Sequence, residues 1–211
     1  MFDMDGVLVD SGAAHRAAWA ALLDELGERP RQPDFWRLTI GRPTEEALPL
    51  VLGRRVPAHE AWELARRKRD LYVELAWRGL TAVAGVSAFV AELVRGGVPR
   101  AVGTSAGRYD VDRVLGAIGL RRHFQVVVTA DDVTLGKPDP EVYVLAARRL
   151  GASPASCVVF EDSLVGVEAA RRAGMRAIGV ATSHTEAELG EAGAERVIDD
   201  FEGFEWNSLD R

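Results

Sequence analysis

Two aspartates near the start of the chain have the side-chain type and spacing of a catalytic pair. Asp3 and Asp5 are separated by one residue, and Gly6 after them permits a sharp turn. Where such a pair leaves a strand of an α/β sheet, both carboxylates can converge on one ligand, because ligands bind at the carboxyl ends of the strands. One carboxylate can then attack the ligand covalently while the other transfers protons. An acidic turn without function is the alternative for this segment.

Two later segments offer donors for an anion. Thr104 and Ser105 follow an apolar run and precede a helix-like stretch, a place where hydroxyl and backbone N–H groups bind anions. Lys137 stands between a glycine and a proline in a short extended segment, which can direct its ammonium inward. Considered alone, such turns are common and a solvated lysine is the simpler explanation, so neither segment defines a site by itself.

Glu161 and Asp162 place two further acids at the end of the apolar run 157–160. Negative charges beside other carboxylates are unfavourable unless a cation is present, and Mg²⁺ binds a few carboxylates while bridging to phosphate oxygens. The two acids would equally stabilise the first turn of a helix. The pair therefore indicates either a magnesium site or a helix N-terminus.

Past residue 80, apolar runs alternate with helix-like stretches, a pattern typical of parallel strands joined by crossover helices. The predicted strands are 98–104, 126–129, 157–160, 177–180 and 197–198, and the predicted helices are 85–96, 108–118, 139–150 and 163–173. Residues 1–11 and 80–211 are therefore expected to form an α/β core with a doubly wound, Rossmann-like parallel sheet. Only Met1 and Phe2 precede Asp3, so a few apolar residues of the first strand are expected to be missing.

Residues 12–79 show a different pattern, with helices predicted near 13–26 and 59–77 and no convincing strand. The first of these helices carries an apolar face at helical spacing, formed by Trp19, Leu22, Leu23 and Leu26. The sequence therefore predicts an all-helical cap inserted after the first strand, and an insert at that position can act as a lid over a site.

Composition narrows the class of protein. The 211 residues are 47% hydrophobic and 27% charged, as in ordinary globular proteins, and no apolar run of about 18 residues predicts a membrane span. The net charge of −6 argues against nucleic acid as a partner. Cys157 is the only cysteine, so an intramolecular disulfide is excluded. No signal peptide is visible, so a cytoplasmic protein is expected, and a monomer is the default expectation.

In their order along the chain, the four segments resemble the four motifs of the haloacid dehalogenase superfamily of aspartate-nucleophile phosphotransferases, and the resemblance covers nearly the whole sequence. It implies that Asp3 is the nucleophile that becomes an aspartyl phosphate and that Asp5 is the general acid and base. Thr104 and Lys137 would bind the phosphate and offset the charge of the nucleophile. The implied partner is a small phosphorylated metabolite.

The same resemblance implies a Mg²⁺ cofactor. The ion would be held by Asp3, the backbone carbonyl of Asp5 and Asp162, with Glu161 as a further ligand or as a support. The dehalogenases of the superfamily lack the second aspartate, so Asp5 favours a phosphotransferase over a dehalogenase.

Within the superfamily, the chain looks like β-phosphoglucomutase and the related sugar-phosphate phosphatases. His15 and Lys68 resemble cap residues that the mutases direct toward the active site, and each also fits an ordinary helix face. At the position of the mutases' phosphate-binding arginine the sequence has Thr44, and Arg42, displaced from it by two residues, would substitute for it in binding the substrate. This departure favours a phosphatase, in which water attacks the aspartyl phosphate, over a mutase.

Ser105 and Arg108 complete the predicted substrate-binding set, Arg108 as a contact for a second phosphate. Ser105 has another interpretation, because residues 103–107 match G-x-S-x-G, the nucleophile elbow of serine hydrolases. His123 or His184 would then be the base. That hypothesis leaves the acids of the first and fourth segments unexplained.

Metal removal separates these two chemistries. We expect EDTA to abolish phosphate release, because the clustered carboxylates need a cation, and we expect Ser105→Ala to keep measurable turnover. The measurement is inorganic phosphate released from a phosphate ester with and without the chelator. Activity that survives EDTA and is lost in Ser105→Ala would establish the serine hydrolase instead.

Overall fold

In the computed structural model, which describes residues 1–30, 32–76 and 79–210, short strands form where the sequence is apolar and β-branched. The strands of these residues are β1 (Val9–Asp10), β2 (Thr81–Ala82), β3 (Ala101–Gly103), β4 (Val126–Val128), β5 (Val158–Glu161), β6 (Arg176–Val180) and β7 (Arg196–Ile198). β3 pairs with β4, β5 with β6 and β6 with β7, all in parallel. The five strands predicted past residue 80 are confirmed, each within three residues of its expected bounds.

Phe2 joins these strands into one parallel sheet. Its backbone N–H donates to the Ala101 carbonyl at 3.0 Å and its carbonyl accepts from the Gly103 N–H at 2.9 Å. On the other side, the Asp3 N–H donates to the Phe160 carbonyl at 3.0 Å. The order across the sheet is therefore β4–β3–Phe2–β5–β6–β7. The chain builds outward from Phe2 first on one side and then on the other, which is the doubly wound arrangement that the sequence predicts.

Helices occupy the segments between the strands. They are α1 (Gly12–Leu26), α2 (Thr44–Leu52), α3 (Ala58–Ala76), α4 (Val86–Arg95), α5 (Arg108–Ala117), α6 (Glu141–Leu150), α7 (Leu164–Arg172) and α8 (Glu186–Ala192). The six predicted helices are found, although Trp77, the expected end of one of them, lies outside the described residues. α2 and α8 are absent from the prediction, because α2 contains Pro49 and α8 is only seven residues long. In the described ranges, none of the helices combines the length and the apolarity needed to span a bilayer.

Hydrophobic clusters cover both faces of the sheet. Val102 and Phe160 belong to one cluster, while their neighbours Ala101 and Val159 belong to the other. Successive residues of a strand point to opposite faces, so each cluster lies on its own face. Burial on both faces explains why these strands read as continuous apolar runs in the sequence.

The segment 12–76 packs helix against helix. α1, α2 and α3 share a third hydrophobic cluster, in which Trp19 and Leu48 are buried, whereas Leu26 is 39% exposed and lies outside the apolar face expected for it. The chain enters and leaves this segment through β1 and β2, which pair antiparallel with Val9 opposite Ala82. The exact boundaries of a cap at 12–79 stay a prediction, and residues 31, 77 and 78 fall outside the described ranges.

Two polar contacts hold the helical segment against the core. Arg37 donates from Nη2 to both carboxylate oxygens of Glu188, at 2.5 and 2.6 Å. The Ser105 hydroxyl donates to the Gly41 carbonyl at 2.9 Å. Gly41 has φ +74°, and a Cβ there would lie 2.3 Å from Ser163 Oγ, so only glycine allows the loop to approach the core this closely.

The aromatic part of the first cluster gives a stability prediction. Phe89 is 2% exposed, and its ring centre lies 5.3 Å from that of Phe201 and 5.4 Å from that of Phe160. We expect Phe89→Ala to lower the free energy of unfolding by about 3–5 kcal/mol, because it leaves a cavity between packed rings. Denaturant titration checks this, with Tyr109→Ala as the control, since Tyr109 is 65% exposed. Equal losses in the two variants would contradict the assignment of Phe89 to the core.

Candidate active site

The carboxyl ends of three adjacent strands carry the predicted site residues. Asp3 follows Phe2, which occupies the central position of the sheet. Thr104 follows β3, and Asp162 follows β5, whose last residue is Glu161. Lys137 reaches the same point from the loop between β4 and α6. All five side chains are buried. The sheet thus brings together four segments that are far apart in the sequence, at the place where α/β sheets bind ligands.

Lys137 lies between the acids. Its Nζ is 2.5 Å from Glu161 Oε1 and 3.1 Å from Asp3 Oδ1, and it stands 5.0 Å from the centre of the Tyr143 ring. Burial lowers the pKa of Lys137, but the charges of Asp3 and Glu161 outweigh this effect, and the net pKa is raised. A buried, charged ammonium therefore faces the expected nucleophile.

Hydrogen bonds occupy both carboxylate oxygens of Glu161. Oε1 accepts from Lys137 and from the Tyr143 hydroxyl, the latter at 2.7 Å. Oε2 accepts from the Ser163 N–H at 3.1 Å and from the Ser163 hydroxyl at 2.9 Å. A Cβ at Gly166 would lie 1.8 Å from Oε1, so glycine is needed where α7 passes the carboxylate. Of the two roles that the sequence leaves open for Glu161, this geometry favours the support of Lys137 over metal ligation.

The acids form a cluster that fits a divalent cation. Carboxylate oxygens of Asp3, Glu161 and Asp162 lie within 4.8 Å of one another. Burial raises the pKa of Asp3 to about 7, with Lys137 opposing the rise and Glu161 adding to it. Burial also raises the pKa of Asp162 well above its usual value, reinforced by Glu161 and Asp3. Asp3 Oδ1 is buried and pairs with the Lys137 ammonium at 3.1 Å, and its carboxylate is of the kind that binds a hard cation.

Gly6 lets the chain turn directly over this cluster. Its φ is +72°, and a Cβ there would lie 2.0 Å from Asp162 Oδ2. The Gly6 carbonyl accepts from the Thr182 hydroxyl at 2.6 Å, which anchors the turn to the segment after β6. The turn that the sequence predicts after the two aspartates is therefore both left-handed and in close contact with Asp162, and only glycine satisfies the two conditions together.

Asp5 contacts the helical segment rather than the acid cluster. Its Oδ1 lies 3.0 Å from His15 Nε2 and accepts from the Ser11 hydroxyl at 2.5 Å, and His15 Nδ1 lies 2.8 Å from Lys68 Nζ. The His15 ring stacks on Tyr72 with 4.2 Å between ring centres. Burial would raise the pKa of Asp5, but the charge of His15 and the hydrogen bonds from His15 and Ser11 outweigh it and lower the pKa. His15 and Lys68 are thus both brought to the site.

A cavity of about 340 Å³ lies between the core and the helical segment. The cavity is lined by Asp3, Asp5, Thr104, Ser105, Arg42, His15 and Lys68, among others. The Arg42 backbone N–H donates to the Thr39 carbonyl at 3.3 Å, whereas its guanidinium has no hydrogen bond or ion pair with a described residue and is available to a ligand.

Arg108 lies elsewhere, contrary to expectation. Its guanidinium donates to the Val127 carbonyl at 3.1 Å and pairs with Asp132 at 2.5 Å, and the residue does not line the cavity. The reason is that the Arg108 side chain reaches the end of β4, where it joins Thr129 and Arg149 as a partner of Asp132. A contact between Arg108 and a second phosphate is therefore not supported.

The serine-hydrolase geometry is not formed. The Ser105 hydroxyl donates to Gly41. His184 Nδ1 lies 3.0 Å from the Asp162 carbonyl, and His123 lies at the surface beside Arg122. Neither histidine contacts Ser105, so the hypothesis based on residues 103–107 is wrong.

Sequence reasoning misses three residues that shape the site. Tyr143 binds Glu161, Ser11 binds Asp5, and Tyr72 supports His15. Each stands at a position where an apolar or capping role is the simpler explanation. Tyr143 lies on the buried face of α6, the helix that follows Lys137. That position on a core-facing helix is the sequence feature that could have indicated a role for Tyr143 near the strand ends.

Comparison with known proteins places the chain in a family. Residues 1–174 match the family model of haloacid dehalogenase-like hydrolases. The fructose-1-phosphate phosphatase of Escherichia coli is 34% identical over 182 residues, which cover 85% of this chain and 94% of that protein. A chloroplastic 5-amino-6-(5-phospho-D-ribitylamino)uracil phosphatase of Arabidopsis thaliana is 32% identical over 91% of this chain, and the match spans only about half (52%) of that protein.

A solved structure supports the same assignment. The crystal structure of a hydrolase from Pseudomonas syringae superposes with a TM-score of 0.89 at 30% identity and covers 99% of this chain and 96% of that chain. The family match over most of the sequence and the agreement of the fold lead to one conclusion. The chain belongs to the haloacid dehalogenase-like hydrolase family.

Proposed function

We propose that the protein is a Mg²⁺-dependent phosphatase that hydrolyses small phosphate esters such as sugar phosphates through an aspartyl phosphate on Asp3. The observation that carries the proposal is the position of Lys137, whose Nζ lies 3.1 Å from Asp3 Oδ1 in a buried cluster of carboxylates. The names of its relatives, among them a fructose-1-phosphate phosphatase, support a phosphorylated sugar as the class of substrate.

The residues divide the work of phosphoryl transfer. Asp3 attacks phosphorus and forms the aspartyl phosphate, while Asp5 donates a proton to the ester oxygen that leaves. Lys137 and Thr104 hold the phosphate oxygens and offset their charge, which is what phosphoryl transfer chiefly requires. Asp5 then takes a proton from water as the water oxygen attacks phosphorus, and inorganic phosphate leaves while Asp3 regains its carboxylate.

Mg²⁺ would be held by Asp3, Asp162 and the backbone carbonyl of Asp5, with Glu161 as the support of Lys137. When bound, the ion neutralises charge on the phosphate and on the clustered carboxylates. Three carboxylates balanced by a single ammonium leave this cluster in net need of a cation.

The contact between His15 and Asp5 connects the helical segment to proton transfer. With His15 Nε2 3.0 Å from its carboxylate and Lys68 behind the ring, Asp5 is held in the charged form before substrate binds. A substrate that enters the cavity competes with His15 for this carboxylate, and Asp5 takes up a proton at that stage before it donates one to the leaving ester oxygen.

A phosphomutase of the β-phosphoglucomutase type is the second candidate. The placement of His15 and Lys68 at the site favours it, because the sequence resembles the mutases at these two positions. The absence of Arg108 from the cavity counts against it, since a mutase must hold a second phosphate on the same substrate.

A ³¹P NMR time course tests the proposal. Wild type with Mg²⁺ is incubated with a panel of sugar phosphates that includes β-glucose 1-phosphate and a trace of its bisphosphate. We expect inorganic phosphate to appear with wild type and not with Asp3→Asn, because an amide cannot act as the nucleophile. Conversion of the 1-phosphate to the 6-phosphate without release would establish the mutase. Full activity of Asp3→Asn would exclude Asp3 as the nucleophile.

Lys68 allows stability and activity to be separated. Burial lowers its pKa from 10.5 to about 8, so the unfolded chain binds one more proton between those values and stability rises with pH across that window. Below pH 8 the full cost of burying the charge remains, so Lys68→Met is expected to raise the free energy of unfolding at pH 7 by roughly 1–3 kcal/mol, with most of that gain lost by pH 10. Phosphate release should fall in the same variant, since His15 loses its partner.

Denaturant titration at pH 7 and pH 10, run beside phosphate release, gives both readouts. Arg67→Met is the control, because Arg67 lies on the same helix and pairs with Glu25 at the surface. A destabilised Lys68→Met at pH 7 with unchanged activity would show that Lys68 is an ordinary packing residue.

A further inference from the structure

Asp110 is a cavity residue that the proposed reaction does not use. It lies in the first turn of α5 and lines the same cavity as Asp3 and Lys68. Its Oδ1 is buried and accepts no hydrogen bond from the described residues. An unpaired buried carboxylate oxygen costs free energy, so its retention needs a reason.

The ordinary explanations for an acid at this place do not apply. An acid in the first helical turn is stabilised by the helix dipole while it stays in water, but this oxygen is buried. Its neighbours have protein partners: Asp112 pairs with Arg121 at 2.6 Å, and Asp131 accepts from the Arg108 N–H at 2.7 Å. Asp110 lines the cavity, and its Oδ1 lacks the protein donor that these two neighbouring acids have in their ion pair and hydrogen bond.

The charges around Asp110 restrict the kind of donor it can accept. Burial raises its pKa and the charge of Asp5 adds to the rise, while the positive charges of Arg69, Arg113 and Lys68 oppose it. These three cations outnumber the one neighbouring anion and would repel an ammonium group on a ligand. A neutral hydroxyl meets no such repulsion and donates the hydrogen bond that the carboxylate lacks.

We propose that Asp110 determines specificity by accepting a hydrogen bond from a hydroxyl of the substrate's leaving group, so that polyhydroxylated phosphate esters are preferred over esters without hydroxyls. This inference rests on the proposed phosphatase function. A site built around a hydrogen bond to a substrate hydroxyl strongly rejects analogues that lack it, because the buried Oδ1 of the half-buried Asp110 is then left unpaired.

The test compares ratios of kcat/KM, which do not depend on the fraction of active enzyme. Wild type, Asp110→Ala and Asp110→Asn are assayed with Mg²⁺ on glucose 6-phosphate, fructose 1-phosphate and sorbitol 6-phosphate, and on p-nitrophenyl phosphate, whose leaving group has no aliphatic hydroxyl. We expect the ratio of the best sugar or polyol ester to p-nitrophenyl phosphate to fall roughly 10- to 100-fold in Asp110→Ala. Asp110→Asn keeps the side-chain volume and guards against a folding defect.

A second arm identifies the hydroxyl. Monodeoxy analogues of the best ester are compared in wild type and Asp110→Ala. With wild type, removal of one particular hydroxyl should lower kcat/KM by about the same factor as the substitution Asp110→Ala does. With Asp110→Ala, removal of that hydroxyl should lower kcat/KM no further. Asp112→Asn is the matched control, on the same helix but paired with Arg121 outside the cavity, and its ratios should equal those of wild type.

The outcomes separate this inference from the proposed function. Sugar-phosphate hydrolysis by wild type with a ratio in Asp110→Ala within twofold of the wild-type value overturns the role of Asp110 alone. Wild-type turnover of p-nitrophenyl phosphate without any turnover of the three hydroxylated esters overturns both the sugar-phosphate proposal and this inference.

Discussion

The buried ammonium of Lys137 is the charge on which the arrangement of the site depends. An isolated cation in the interior is strongly unfavourable, and here the cost is offset by Glu161 at 2.5 Å, Asp3 at 3.1 Å and the face of Tyr143. Without the lysine, three buried carboxylates would repel one another, and their pKa values would rise further. Glu161 is in turn fixed by Tyr143 and Ser163, so the position of the charge is determined by side chains that never reach the ligand. The packing of these side chains in the core therefore preorganises the positive charge of Lys137 at the edge of the sheet.

The second acid of the pair belongs to a different environment. Asp3 lies with the buried cluster, where burial raises its pKa to about 7, whereas the pKa of Asp5 is lowered by His15 and Ser11. Two carboxylates one residue apart thus differ in environment because one faces the sheet and the other faces the helical segment. Such divergence is the usual way in which neighbouring acids take separate roles. In the proposed reaction, the core would supply the charges for phosphate, and the inserted helices would supply the groups that control the proton and meet the rest of the substrate.

A feature of the fold or of the site can be predicted from the sequence when it depends on residues that are neighbours in the chain. An apolar run that ends in a polar residue is a local pattern, so the strands and the positions of Asp3, Thr104 and Asp162 at their ends are predictable. Partner choice is not local: Arg108 looks available in sequence, but folding places Asp132 beside it. The same limit applies to Glu161, because its role depends on hydrogen bonds from Tyr143 on α6 and from Ser163 directly before α7. The short helix α8 and the proline-containing α2 are missed because their stabilisation comes from tertiary contacts rather than from propensity.

The antiparallel ribbon of β1 and β2 has a consequence for how the helical segment meets the core. Both chain crossings pass through this ribbon, in which Val9 pairs with Ala82 and Asp10 with Thr81. The segment is therefore tethered at one edge, and in the role of a lid that we propose for it, its groups would return to the site as an intramolecular event at a high effective concentration. Contacts as modest as the pair between Arg37 and Glu188 would then suffice to favour closure, because no translational entropy is lost when they form. A tethered lid of this kind can accumulate substitutions on its inner surface, and so change what it encloses, without losing its place over the chemistry.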